Sequence, residues 1–130
     1  MEHKKILIDT SIVIEHLRKQ NKQESNLYRF IQKHDLFISV VTEFELYSGA
    51  VNSEKEKDIL NILAAIKTLP FSSESAYEAS KIYKFLKQHN QIIEIGDIFI
   101  GATGLTYNMP LLTNNIKHFK RIEGLLLLKP

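Results

Sequence analysis

The sequence has 130 residues, of which 44% are hydrophobic and 25% are charged, a size and balance typical of one globular domain rather than a disordered chain. It contains no cysteine, which excludes a disulfide framework and a thiolate metal site. The formal net charge of +2 is too small to indicate a nucleic-acid partner by itself.

Met1–Lys5 leads into an apolar run of only a few residues, which is too short for the hydrophobic region of a secretory signal. The sequence contains no apolar stretch of about 18 residues, the length that a membrane span requires. We therefore expect one domain over residues 1–130, located in the cytoplasm and without a membrane partner.

The first predicted strand is the apolar run Ile6–Ile8, which ends at Asp9. Continuous apolar runs are typical of strands that are buried on both faces of a parallel sheet. Thr10 and Ser11 follow, and a helix is predicted over Ser11–Lys19. Because open α/β sheets bind ligands at the carboxyl ends of their strands, Asp9 is a candidate site residue. The alternative is that Asp9 or one of the two hydroxyls only caps the helix.

A second strand is predicted over Leu36–Val41, after a helix that ends near His34. Thr42–Glu45 then has the form of a capping box, in which the first and last side chains bind each other's free amides. Glu45 therefore has two interpretations. It is either part of this cap or a carboxylate at the same sheet edge as Asp9.

The middle of the chain, from Thr42 to Leu69, shows helical patterns but no strand of its own. A second capping box at Ser53–Glu56 opens a helix whose apolar side continues to Ile66. A brief edge strand is predicted over Leu69–Phe71, because proline removes a ladder donor. We expect this region to be a helical arm inserted into an alternating fold.

The next helix begins at Ser72-Ser73, and its predicted buried stripe consists of Ala76, Tyr77, Ala79, Ile82, Tyr83 and Leu86. A later helix opens at Gly96-Asp97 and is apolar nearly all round, which predicts burial. Gly101 and Gly104 are tolerable there if a neighbouring element comes close. Asp97 either favours the helix N-terminus or belongs to a site, since a buried carboxylate without partners is expensive.

The last elements are a strand over Leu111–Thr113, a short helix from Asn114 to Lys120, and a strand over Leu125–Leu128. Thr113 and Asn115 follow the same edge of the sheet as Asp9. They are candidates to orient a metal-bound water or a phosphate oxygen. Capping of the short helix by asparagine is the alternative.

The alternation of strands and helices predicts an α/β domain with a mostly parallel sheet and helices on both faces. Asp9, Glu45 and Asp97 would then converge at one edge, where their repulsion favours a bound cation. Mg²⁺ and Mn²⁺ take oxygen ligands of this kind. Two such ions about 3.5–4 Å apart would activate a water for phosphodiester cleavage.

Four motifs occur in order: D-T-S at Asp9–Ser11, E-L-Y-S-G at Glu45–Gly49, D-I-F-I-G-A at Asp97–Ala102 and T-N-N-I-K-H-F at Thr113–Phe119. Together they resemble the PIN domain, and most closely the VapC-type toxins of toxin–antitoxin pairs. The likeness spans Ile6 to about Leu127. No P-loop, Gly-rich dinucleotide fingerprint or D-x-D phosphatase pattern is present.

The resemblance implies an α/β/α sandwich and a Mg²⁺- or Mn²⁺-dependent endoribonuclease. It also implies a homodimer that a cognate antitoxin inhibits by inserting a segment near the active site. Asp9, Glu45 and Asp97 match the family's invariant acids and are the expected metal ligands, while Thr10, Ser11 and Thr113 assist. Asn115 stands where many relatives have a fourth acid, which weakens the prediction of a second tightly held ion. It also keeps open a non-cleaving PIN-like module that binds RNA or a protein.

Two groups of basic residues are compatible with an RNA substrate, because such side chains hold phosphates through salt-sensitive contacts. The first group consists of Arg18, Lys19, Lys22, Arg29 and Lys33, and the second of Lys117, His118, Lys120 and Arg121. A solvated helix face is the alternative explanation for either group. His118 lies near the predicted site, but we assign it neither a ligand nor a base role.

Overall fold

The computed structural model describes residues 4–130. The strands are β1 Lys4–Ile8, β2 His34–Ser39, β3 Lys67–Leu69, β4 Leu111–Leu112 and β5 Leu127–Leu128. The helices are α1 Thr10–Arg18, α2 Asn26–Ile31, α3 Val40–Gly49, α4 Ser53–Leu63, α5 Ser73–Gln88, α6 Ile95–Thr106 and α7 Ile116–Phe119, with a 3-10 turn over Lys22–Glu24. The domain predicted over residues 1–130 begins outside the described part, so that boundary stays a prediction.

The sheet has five strands in the order β3-β2-β1-β4-β5, and every neighbouring pair is parallel. The predicted parallel α/β sheet is therefore confirmed. β1 lies in the centre, so the residues that follow β1, β2 and β4 come together at one edge. β3 lies at the sheet margin, as predicted, but it is Lys67–Leu69 rather than Leu69–Phe71, and Pro70 follows it.

Alternate side chains of β1 enter two separate cores. Leu7 packs with residues of α5, α6 and α7 on one face. Ile6 and Ile8 pack with residues of α1, α2, α3 and α4 on the other. Each such side chain contributes roughly 1.5–3 kcal/mol when fully buried. The result is the predicted three-layer α/β/α sandwich.

The predicted helical arm exists as α3 and α4, which lie between β2 and β3. Its predicted start was wrong, because β2 ends at Ser39, and the Ser39 hydroxyl accepts a hydrogen bond from the Val41 amide at 3.0 Å. This cap starts α3 at Val40, before the valine pair can extend the strand. The Thr42–Glu45 capping box therefore does not form.

The glycines of α6 allow close packing, as predicted. A Cβ atom at Gly101 would overlap Cδ1 of Ile122, and one at Gly104 would lie 2.9 Å from Cδ1 of Leu125. The predicted stripe of α5 was partly wrong: its buried residues are Ser75, Ala79, Ile82 and Leu86, whereas Tyr77 is 64% exposed. No helix within residues 4–130 is long and apolar enough to cross a membrane.

Candidate active site

Asp9 lies directly after the central strand, with only 2% of its surface exposed. It occupies the N-cap position of α1, but its side chain forms no capping hydrogen bond with the helix backbone. Instead, Oδ2 accepts from the Ser11 hydroxyl at 2.7 Å and from the Thr113 hydroxyl at 2.9 Å. Within residues 4–130 no hydrogen bond reaches Oδ1. The carboxylate is thus held through one oxygen while the other stays available.

The loop after β4 sets the direction of both hydroxyls. The Asn115 amide donates to Oγ1 of Thr113 at 2.9 Å, and the Asn114 amide donates to Oγ of Ser11 at 3.2 Å. Because each hydroxyl already accepts from an amide, its single hydrogen is free to donate to Asp9. Ser11 and Thr113 therefore join this loop to the carboxylate.

Glu45 lies in the second turn of α3, where it caps nothing. Its Oε1 accepts from the Thr10 hydroxyl at 2.6 Å, and Thr10 Oγ1 lies 3.0 Å from the hydroxyl oxygen of the buried Thr42. A Cβ atom at Gly96 would lie only 2.9 Å from Glu45 Oε2. These contacts place Glu45 between the start of α1 and the start of α6. Glu43, two residues earlier in α3, accepts from the Thr68 hydroxyl at 3.2 Å.

Asp97 lies in the first turn of α6, and its side chain is 17% exposed. Burial raises the pKa of Asp97 from 3.8 to about 6, and the negative charges of Asp9, Glu45 and Glu94 add to this shift. His118 opposes the shift, and its Nδ1 lies 3.7 Å from Asp97 Oδ2. The charges of Asp9 and Glu45 therefore act on Asp97, although the three acids come from three separate segments.

The donor set suits a hard divalent cation, because it consists of carboxylate and hydroxyl oxygens. In their present orientations, however, the side chains of residues 4–130 form no group of three His, Asp or Glu that could hold an ion. Mg²⁺ commonly binds through one or two carboxylates and keeps several waters. Oδ1 of Asp9 and the Asp97 carboxylate, whose pKa is raised, are therefore suitable ligands for such an ion without a complete set of protein ligands.

Asn115 is exposed at the N-cap position of α7, but its side chain forms no capping hydrogen bond. It is thus not the helix cap that the alternative interpretation required. Two residues around Glu45 were absent from the predicted site. Thr42 resembled a helix cap in the sequence, and Gly96 contributes only by leaving room beside Glu45 for lack of a side chain.

The model of the PIN domain family matches residues 6–125. This chain belongs to that family. It is 32% identical to "Ribonuclease VapC1" of Methanocaldococcus jannaschii over 94% of this chain and 84% of that protein. It is 33% identical to "Ribonuclease VapC1" of Rickettsia felis over 92% of each chain.

A solved structure supports the same placement of this PIN domain. The structure of VapBC2 from Rickettsia felis, bound to a DNA fragment from its promoter, aligns with a TM-score of 0.83. The alignment covers 97% of this chain and 98% of that one at 26% identity. The predicted resemblance to VapC-type PIN domains is therefore confirmed.

Proposed function

We propose that this PIN domain is a Mg²⁺- or Mn²⁺-dependent endoribonuclease and the toxin of a type II toxin–antitoxin pair. Its relatives named as VapC ribonucleases support the reaction class. The observation that carries the proposal is the placement of Asp9, Glu45 and Asp97 at one edge of the sheet, close enough that the charges of Asp9 and Glu45 help to raise the pKa of Asp97. Clustered carboxylates of this kind destabilise a protein unless a cation neutralises them.

Asp9 and Asp97, with Glu45, are the residues that would hold the ion. A bound Mg²⁺ or Mn²⁺ supplies an activated water and stabilises the oxygen that leaves the phosphodiester. Ser11 and Thr113 are positioning residues, because their hydroxyls are already engaged with Asp9. Thr10 does the same for Glu45. The side-chain amide of Asn115 is exposed, so it is placed to donate to a phosphate oxygen.

A protein partner is part of this proposal. The structure from Rickettsia felis is named VapBC2, and we assign a cognate antitoxin as the partner of this chain. α3 carries exposed apolar residues at helical spacing, Val40, Phe44 and Tyr47, and the exposed Val51 follows the end of the helix. Exposed apolar patches of this kind mark association sites, and we assign this one to contact with a partner chain in an antitoxin complex or a homodimer. A cytoplasmic location stays a prediction.

RNA cleavage by the purified protein tests the activity. We expect cleavage with Mg²⁺ or Mn²⁺ and none with chelator. Asp9→Asn and Asp97→Asn should each lower the rate by roughly 10²–10³-fold, the usual loss for one group that stabilises charge in the transition state. Glu123→Gln is the matched control, because Glu123 is an exposed acid in the turn before β5, and it should cleave like the parent.

Two results would contradict the proposal. If both aspartate variants cleave as fast as the parent, the activity comes from another site or from a contaminant. If the parent binds RNA but cleaves it with neither ion, the non-cleaving binding module is the better account.

A further inference from the structure

One face of α1 extends away from Asp9, Glu45 and Asp97, which together form the acidic centre. Ser11, Glu15 and Arg18 are spaced four and three residues apart, which places them on the same side of the helix. Ser11 contacts Asp9, whereas Arg18 lies roughly 10 Å farther along the helix axis. The Cα of Arg18 thus lies about two helical turns from Ser11.

Arg18 lines two surface hollows. The first hollow is lined by Ser11, Ile14, Glu15, Arg18, Lys19 and Asn114. The second hollow is lined by Ile14, Leu17 and Arg18 and also by Glu45. Arg18 therefore shares one hollow with Ser11, which donates to Asp9, and the other with Glu45.

The positive charge of Arg18 is available for a ligand. Glu15 is the acid on its own helix face, but both oxygens of Glu15 accept hydrogen bonds from Asn26, from the amide and from Nδ2, at 2.8 Å each. In the described part of the chain Arg18 forms no ion pair. The cation also lies in the last turn of α1, where the helix dipole stabilises it, but this does not explain its place in both hollows.

We propose that Arg18 binds a backbone phosphate of the RNA next to the one that is cleaved. This inference rests on the proposed function. The three acids repel an incoming polyanion, so a cation beside them is needed to hold the strand as it passes. The guanidinium group suits this role, because its planar donors match two phosphate oxygens at once.

Binding of a short single-stranded RNA in chelator tests the inference without cleavage. Arg18→Gln should raise the Kd about five- to tenfold and reduce the slope of log K against log salt by about 0.7, the value for one lost phosphate contact on a single strand. Arg18→Lys should keep most of that slope, because it keeps the charge. In a cleavage assay, Arg18→Gln should raise KM by a similar factor and leave kcat within about twofold.

Arg29→Gln is the matched control, because the structure places Arg29 away from the two hollows that Arg18 lines, although the sequence grouped the two residues. The guanidinium of Arg29 donates to Oδ1 of Asn26, and its carbon lies 5.5 Å from the centre of the Phe30 ring. Arg29 lines a third hollow that shares no residue with the other two. This variant should bind RNA like the parent, and unchanged melting temperatures should show that both variants are folded.

Equal Kd values and salt slopes for Arg18→Gln and Arg29→Gln would overturn the inference, whether or not the RNA is cleaved. A lower melting temperature with unchanged RNA binding would assign Arg18 to helix stability alone, which also overturns it. Failure of the proposed function looks different: Arg18→Gln still weakens binding, but the parent does not cleave with either ion.

Discussion

Asp9 and Asp97 belong to the same acidic centre, but their surroundings differ. Asp9 is almost fully buried and accepts two hydroxyl hydrogen bonds on one oxygen. The Asp97 carboxylate lies 3.7 Å from the imidazole of His118, and burial together with its acidic neighbours raises its pKa to about 6. One carboxylate is therefore fixed by donors, and the other carries the repulsion of the group.

The difference indicates a division of labour. Two hydroxyl donors hold one oxygen of Asp9, so Asp9 provides a rigid reference point at the end of β1. Asp97 gains from a cation, because burial and its acidic neighbours raise its pKa. We expect a bound ion to relieve Asp97 and to depend on Asp9 for its position.

Of the tests of this comparison, removal of a hydroxyl that donates to Asp9 has the largest expected effect. Thr113→Val should slow cleavage about 10–100-fold, as is typical when a group that orients a metal ligand is lost. It should also destabilise the protein by about 1–3 kcal/mol, because the Asn115 amide loses its acceptor. Cleavage kinetics and thermal melting measure the two effects.

Thr106→Val is the control for that experiment. The Thr106 hydroxyl donates only to the carbonyl oxygen of Ala102 in α6, so its rate should stay within about twofold of the parent. Equal rates for the two threonine variants would show that Thr113 does not position Asp9.

Asp97→Asn tests the other side of the comparison through stability. A folded-state pKa of about 6 means that the native chain binds more protons than the unfolded chain between about pH 4 and 6, so stability falls as pH rises through this window. In chelator at pH 7.5 the variant should melt about 2–4 °C higher than the parent, from an effect on the order of 1 kcal/mol. The difference should disappear near pH 4.

The melting experiment has a matched control variant, and one result would contradict the prediction. Glu123→Gln should show no such dependence on pH, because this acid is exposed and lies outside the centre. If Asp97→Asn melts below the parent at every pH, the carboxylate stabilises α6 as a helix N-terminal acid and is not under repulsion.

His118→Gln should have the smallest effect. His118 lowers the pKa of Asp97, so its loss should move the acidic limb of the pH–rate profile to higher pH and leave the plateau rate within about twofold. His89→Gln is the control, because the His89 ring contacts the Phe85 carbonyl oxygen at the end of α5. A plateau rate that falls as far as in Asp97→Asn would instead place His118 in the chemistry.

The sequence predicted the order of the acids and the parallel sheet, because apolar runs and carboxylates at strand ends are local signals. It did not predict how Glu45 is held. Thr42 had the form of a helix cap, but the helix is capped at Ser39, which the sequence placed inside a strand, and the Thr42 hydroxyl contacts Thr10 in the interior instead. One of the two hydroxyls that donate to Asp9 belongs to Thr113, which is 104 positions away in the sequence. No local pattern reveals such a contact.

The boundaries of single elements failed for similar reasons. Val40 and Val41 favour a strand by their side chains, but the cap at Ser39 starts a helix one residue later. Tyr77 matched an apolar stripe of α5, but the sheet contacts the neighbouring side through Ala79 and Ile82. Tertiary packing selected between faces that the sequence left nearly equal.

Binding of Mn²⁺, measured by paramagnetic resonance of the free ion, tests the central claim most directly. We expect the parent to bind one ion per chain, since Asn115 replaces a fourth acid. Asp9→Asn and Asp97→Asn should each weaken binding at least about tenfold, while Glu123→Gln should bind like the parent. Equal binding by all four proteins, or no saturable binding by the parent, would contradict a metal centre built on Asp9 and Asp97.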